Sequence, residues 1–226
     1  MKQMKLTALL LSGAIVMASC GSMNSNTAKG GAIGGGSGAA VGAILGGILG
    51  KGKGAAIGAA IGAAVGTGTG VVIGKKMDKK AAEAAKIQGA QVEKVTDNNG
   101  LAAVKVSFAS GILFGFNSST LNSASKQSLS DLARILKEDG TTDVAIIGHT
   151  DKVGTYDANM KVSNDRANSV MNYLRSCGVN ISQFKKVEGV GYNQYDESAS
   201  ADQNRRVDIF MYASEQMIKN AEASKD

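Results

Sequence analysis

Residues 144–178 read VAIIGHTDKVGTYDANMKVSNDRANSVMNYLRSCG. Val144-Ala145-Ile146-Ile147 is a short unbroken apolar run, the pattern of a strand buried on both faces. Residues 157–177 then put Ala167, Val170, Met171 and Leu174 on one face of a helix, and Gly178 stands where a glycine ends a helix. Lys185–Gly189 supplies the next strand. Strand, loop, long amphipathic helix and strand make a β-α-β unit, with Asp151 and Gly154 in the loop and Arg166 on the helix, fifteen residues after Asp151.

Further elements flank this unit. Residues 123–139 predict a helix with Leu129, Leu132, Ala133 and Leu136 on its inner face. Ile112-Leu113-Phe114-Gly115-Phe116 reads as a strand. Arg206–Tyr212 reads as another, alternating Val207, Ile209 and Met211. Gln91–Val95 and Leu101–Phe108 alternate across the turn signal Thr96–Gly100, which predicts a β-hairpin over 91–108. The expected fold class is α/β (an α+β sandwich): a mixed β-sheet with helices packed on one face, covering 109–213. Residues 75–90, polar and alanine-rich, predict a solvated linker helix. The tail, 214–226, has only Met217 and Ile218 as apolar anchors and is expected to fray.

Composition narrows the function. The 226-residue chain has one histidine, no proline and no tryptophan. A zinc centre with several histidine ligands cannot be built from His149 alone, and no metal or cofactor is expected. Residues 1–100 hold eleven lysines against four acids, whereas 101–226 are nearly neutral. The high pI therefore belongs to the N-terminal part, and no nucleic-acid partner is expected, because a nucleic-acid interface needs a basic stripe on the folded domain. The chain opens MKQMK and continues with the apolar run Leu6–Ala18, too short to span a bilayer and typical of a secretory signal over 1–19. The run ends Met17-Ala18-Ser19-Cys20, which resembles a bacterial lipobox. That resemblance implies lipidation at Cys20, start of a linker over 20–29, and leaves Cys177 without a disulfide partner in the chain. Gly21 is not the Asp that retains lipoproteins in the inner membrane, so the outer membrane is the expected destination.

Between residues 30 and 74 a glycine occurs at every fourth position without a break. Lys51 and Lys53 divide this ladder into two uncharged halves. On a helix the period makes a side-chain-free groove that lets backbones approach closely, the small-xxx-small mode of membrane helix packing. In water each glycine costs ~1 kcal/mol relative to alanine, so packing or lipid must restore the helix. The segment resembles the glycine-zipper hairpins of Gram-negative envelope proteins. A flexible Gly/Ala spacer is the plainer reading, but it needs neither the register nor the Ile and Val between the glycines. A homo-oligomer through this segment stays open. Neither half carries the ionisable residue that a proton-conducting stator needs in its membrane helix.

Asp151 on its own fits a turn or cap, and Arg166 a plain salt bridge to it. Held near one another without quenching, the two suit a zwitterion: a carboxylate accepts from an ammonium group, and a guanidinium grips a carboxylate bidentately.

Phe114-Gly115-Phe116-Asn117, Gly148-His149-Thr150-Asp151-Lys152-Val153-Gly154, Asn159…Ser163…Arg166-Ala167, Gly189-Val190-Gly191 and Asn204-Arg205-Arg206-Val207 together resemble, in order and spacing, the OmpA-like peptidoglycan-binding domain. With the lipobox and the glycine ladder, the whole chain is similar to YiaD-type outer-membrane lipoproteins. The resemblance implies noncovalent binding of peptidoglycan through the diaminopimelate of its stem peptides, with Asp151 at the amine and Arg166 at the carboxylate. Asn159, Thr150, Phe114, Asn117 and Arg205 are the implied supporting residues. Two positions depart from the family's pattern: Gly115 between the phenylalanines, where Asp or Asn is frequent, and Tyr195, where a Pro often follows the Gly-x-Gly loop.

The function expected is a tether. Lipid at Cys20 holds the outer membrane while the periplasmic domain holds the wall, with peptidoglycan and outer-membrane lipid as partners. The alternative is a glycine-zipper protein that oligomerises in the membrane and for which wall binding is only positional. An enzyme is not expected: a hydrolase would need paired carboxylates, a metal set or an activated nucleophile, and His149 and Cys177 do not supply one.

Overall fold

The computed structural model describes residues 68–96, 102–115 and 118–224. Cys20, most of the glycine ladder and Asn117 lie outside the described residues. In chain order the elements are α1 (Gly68–Ala84), β1 (Ala90–Thr96), β2 (Ala102–Ala109), α2 (Ser110–Leu113), α3 (Ser123–Glu138), β3 (Thr142–Gly148), α4 (Tyr156–Ser176), β4 (Phe184–Gly189), α5 (Ala201–Asn204), β5 (Arg206–Ala213) and α6 (Glu215–Ala223). A single turn of 3-10 helix, Ile181–Gln183, leads into β4.

The five strands form one mixed sheet in the order β1-β2-β5-β3-β4. Only β3 and β4 are parallel, because α4 crosses between them; the remaining neighbours are antiparallel. The hairpin of β1 and β2 is part of this sheet, since β2 pairs with β5 from Ala103 to Ala109. Cross-strand register puts Val104, Val106, Phe108, Val207, Ile209, Met211, Val144 and Ile146 on one face. Leu129, Leu132 and Leu136 of α3 and Ala167, Val170 and Leu174 of α4 join them in the buried core. At about 1.5–3 kcal/mol for each large apolar side chain, this layer is the main source of stability.

Three segments differ from the sequence expectation. Ile112 and Leu113 close the short helix α2, and Phe114 makes an isolated bridge with Leu121, so 112–115 is not a strand, and Phe116 lies outside the described residues. A five-residue apolar run does not distinguish a strand from a buried turn. The polar stretch after residue 74 is not a solvated linker but the body of α1, which buries Ile73, Met77, Ala81 and Ala84 in the core. Lys80 is buried with them and donates from Nζ to the Ile135 carbonyl at 3.2 Å. The tail forms α6, capped by Ser214 and seated against α1 through Met217, Ile218 and Ala221.

The contact that sets the geometry of the sheet's end is between α4 and two glycines. A Cβ on Gly148 would lie 2.2 Å from the Ser163 carbonyl oxygen, and one on Gly189 would lie 2.1 Å from the Asn164 backbone nitrogen. Asn164 Oδ1 accepts from Gly189 N at 2.7 Å, and Ser163 Oγ accepts from Gly191 N at 3.0 Å. Helix α4 therefore lies against the backbone of β3 and β4 at this point. Gly189→Ala must push α4 away and is expected to cost about 2 kcal/mol or more in urea unfolding. Because Arg166 rides on the same helix, ligand affinity should fall with stability; an unchanged urea midpoint would contradict the packing described.

Candidate functional site

The β3–α4 loop, α2 and the segment before β5 meet at one end of the sheet. Between them is an open cleft of about 1130 Å³, lined by Ser110, Phe114, Thr150, Asp151, Asn159, Arg166, Asp202 and Arg205 among others. The elements are locked by backbone bonds: Ser110 N donates to Arg205 O at 2.7 Å, His149 N to Arg206 O at 2.9 Å and Thr150 N to Gly191 O at 2.9 Å.

Asp151 stands just beyond the end of β3 and is buried. Its Oδ1 accepts from Val153 N at 3.0 Å, and its Oδ2 accepts from Arg205 Nη1 at 2.5 Å. Arg205 reaches in the other direction to Asp202, one helical turn earlier, so a single guanidinium bridges two carboxylates. Asn159, in the first turn of α4, shapes the loop: its Nδ2 donates to the Val153 carbonyl at 2.9 Å and the Thr155 carbonyl at 3.1 Å. Thr155 caps α4 by accepting from Ala158 N. Gly154 takes φ +92, a left-handed value that suits glycine.

Arg166 is buried on the cleft side of α4. Its guanidinium lies 5.2 Å from the centroid of the Phe114 ring, and Nε donates to the Ser118 carbonyl at 3.1 Å. Among the described residues its terminal nitrogens have no hydrogen-bond partner. Burial and the neighbouring Arg205 charge lower its pKa, against the pull of Asp151. Arg166 and Asp151 line the same cleft without forming an ion pair with each other. Thr150 adds a buried hydroxyl that has no hydrogen-bond partner among the described residues.

Of the residues singled out from sequence, Asp151, Arg166, Asn159, Thr150, Phe114 and Arg205 all line this cleft; Asn117 lies outside the described residues. Phe114 contributes its ring face rather than backbone from a strand. Asp202 was not foreseen. Its signal is local: an acid three residues before Arg205 in the capping box Ser200–Gln203. Tyr195, one of the departures from the family's pattern, places its ring 4.6 Å from Lys152 Nζ beside the loop.

Four of the five motifs therefore line one cleft, and the fifth, Gly189–Gly191, packs behind it against Ser163 and Asn164 of α4. Residues 113–208 match the OmpA family. Residues 1–92 match the YMGG-like Gly-zipper family. The chain is 34% identical over 125 residues to Probable lipoprotein YiaD of Escherichia coli (strain K12), covering 54% of each protein. It is 41% identical over 76 residues to the Peptidoglycan-associated lipoprotein of Buchnera aphidicola subsp. Baizongia pistaciae, covering 34% of this chain and 44% of that protein. The chain thus spans about half the length of the curated relatives it matches. The crystal structure of a putative MotB like protein from Desulfovibrio vulgaris shares the fold, with a TM-score of 0.52 at 16% identity over 63% of this chain and 95% of that one.

His149, next to Thr150 in sequence, is not among the residues lining the cleft. It lies on the other face of the sheet, with Nε2 3.1 Å from Asp208 Oδ2. Asp208 accepts from Ser107 Oγ at 2.6 Å and Arg206 Nε at 3.1 Å. Burial works against the Asp208 carboxylate, yet His149, Arg206 and Ser107 hold it well below the usual range. The network ties β2, β5 and the end of β3 together. Asp208→Asn removes the anion that Ser107 and Arg206 donate to and that His149 lies beside, and is expected to cost about 3 kcal/mol at pH 7. A depressed folded pKa contributes stability that is present above the unfolded value near 4 and lost on acidification. The gap between variant and wild type in urea unfolding should therefore narrow as pH falls below about 4.

Proposed function

We propose that the cleft binds the zwitterionic end of diaminopimelate in peptidoglycan stem peptides, and that the chain is an outer-membrane lipoprotein anchored at Cys20 that tethers that membrane to the wall without covalent chemistry. The observation that carries this reading is a buried carboxylate and a buried guanidinium facing one cleft without pairing to each other. A ligand with an ammonium and a carboxylate on one carbon satisfies both. Asp151 accepts from the ammonium, and the terminal nitrogens of Arg166 grip the carboxylate as a planar fork.

The surrounding residues support the roles. Phe114 backs the Arg166 guanidinium and keeps water from one side of it. Val153 N–H and the Asn159 amide hold the loop so that Asp151 faces the cleft. Arg205 occupies Asp151 in the free protein, with Asp202 as its second partner. An arriving ammonium competes for Asp151, and Arg205 keeps a carboxylate when it yields. The protein accordingly carries no uncompensated buried anion before the ligand binds. The names of the relatives, a peptidoglycan-associated lipoprotein and a probable lipoprotein, agree with this reading.

Co-sedimentation with purified diaminopimelate-type peptidoglycan tests it. The chain from residue 21 onward should pellet with the wall. Asp151→Ala and Arg166→Ala should each lose at least ~1.5 kcal/mol, more than tenfold in affinity, while remaining folded. Arg166→Lys, which keeps the charge and loses the fork, should also weaken binding. Wild-type protein left in the supernatant, or folded variants that still pellet, would overturn the assignment.

A further inference from the structure

Three of the chain's five tyrosines, Tyr156, Tyr192 and Tyr195, gather beside the loop that carries Asp151. Tyr156 is the first residue of α4, directly after the N-cap Thr155. Tyr192 and Tyr195 belong to the β4–β5 connection. Two successive turns form there, with Asn193 N donating to Val190 O at 3.0 Å and Tyr195 N to Tyr192 O at 3.1 Å. Gly191 precedes Tyr192 at φ +55, and a Cβ on it would meet Met160 Sδ at 3.1 Å. The connection is therefore pressed onto the start of α4.

That contact holds two rings together at the surface. Tyr156 and Tyr192 meet edge to face, with centroids 5.6 Å apart and planes at 78°. Asn193 Nδ2 donates to Tyr156 Oη at 3.0 Å and fixes the ring from the opposite element. Tyr195 lies under Lys152, whose ammonium pairs with Glu197. Tyr156 is nonetheless 45% exposed, and Tyr192 is half-buried. Neither ring lines the cleft, and neither holds Asp151 or Arg166 in place. Locked, open tyrosines offer a flat amphipathic surface at little cost in side-chain entropy.

The neighbouring chemistry narrows what such a surface takes. Thr155, Asn193 and Gln194 beside the rings are uncharged, and Lys152 and Glu197 neutralise each other. Asp157 complements the N-terminus of α4. A polyanion needs a cationic stripe, and this rim does not supply one. An uncharged sugar ring fits: its C–H face lies on an aromatic ring while its hydroxyl and acetamido groups bond side-chain amides. Distance agrees. Val153 lies on the cleft wall and is three residues from Tyr156, so their Cα atoms are at most about 11 Å apart. An extended three-residue stem spans about 10 Å, so a stem whose diaminopimelate end sits in the cleft brings its sugar to that range.

We propose that Tyr156 and Tyr192 form a platform for the glycan strand of peptidoglycan. The wall is then held at two points, the zwitterionic end of a stem peptide in the cleft and a sugar ring on the tyrosine pair. The inference rests on the cleft reading given above and adds a contact outside the cleft.

Titration of the full chain in detergent micelles, followed by calorimetry and NMR, tests it. The ligands are the stem tripeptide ending in diaminopimelate, the same tripeptide joined to its N-acetylglucosamine–N-acetylmuramic acid disaccharide, and peptide-free glycan chains. Wild-type protein should bind the disaccharide-tripeptide about fivefold more tightly than the tripeptide, or better. Joint Tyr156→Ala and Tyr192→Ala substitution should abolish that ratio and leave tripeptide affinity unchanged. Tyr156→Phe, which keeps the ring, should retain it. Peptide-free glycan should shift the ring protons of Tyr156 and Tyr192, an observation that needs no variant. Equal affinity of the wild type for the two peptides, a double variant that keeps the ratio, or rings unmoved by glycan would overturn the platform. Glycan shifts without any tripeptide binding would instead refute the cleft reading and support the platform.

Discussion

Backbone contact between α4 and the ends of β3 and β4 is the constraint on which the rest of the site depends. With glycine at 148 and 189, Ser163 and Asn164 come close enough to bond the Gly189–Gly191 loop directly. That approach fixes where Arg166 stands, one turn further along the helix, and where the loop from Asp151 to Thr155 must run. Residues that look like parts of separate motifs are consequences of one packing decision. Ser163, which lies at the contact itself, is a structural tie.

The cleft keeps opposite charges close without letting them cancel. Arg166 is held by the Ser118 carbonyl and the Phe114 ring, and Asp151 by Val153 N–H and Arg205. Quenching of Asp151 by Arg166 would leave nothing for a ligand to pair with. Sharing Arg205 between Asp151 and Asp202 keeps the free state neutralised by a partner that has an alternative. A wholly rigid pair would make ligand binding an exchange of one desolvated ion pair for another with little gain.

The strands β3, β4 and β5 and the helices α3 and α4 were legible because their apolar periodicity is long and uninterrupted. Asp151, Arg166 and their neighbours were legible through spacing. What escaped was tertiary. Lys80 and the alanines of α1 read as solvent-facing by composition, yet that helix is buried because alanine lets it sit close to β2 and α3. Met217 and Ile218 looked too few to hold a helix, but α1 supplies the surface that the tail alone lacks. Phe114 read as a strand residue because a short apolar run has no distinct period. Asp202 was invisible since its importance depends on where Arg205 points.

The central claim is that one cleft recognises an ammonium and a carboxylate together. The direct measurement is an NMR titration of the 15N-labelled chain with a stem peptide whose diaminopimelate end is free, and with the same peptide amidated at that carboxyl. The expected result is perturbation of backbone amides over 150–155, of Asn159 and of the Arg166 side chain by the free peptide, with affinity falling at least tenfold on amidation. Equal response to both peptides, or shifts confined to residues away from the cleft, would contradict it.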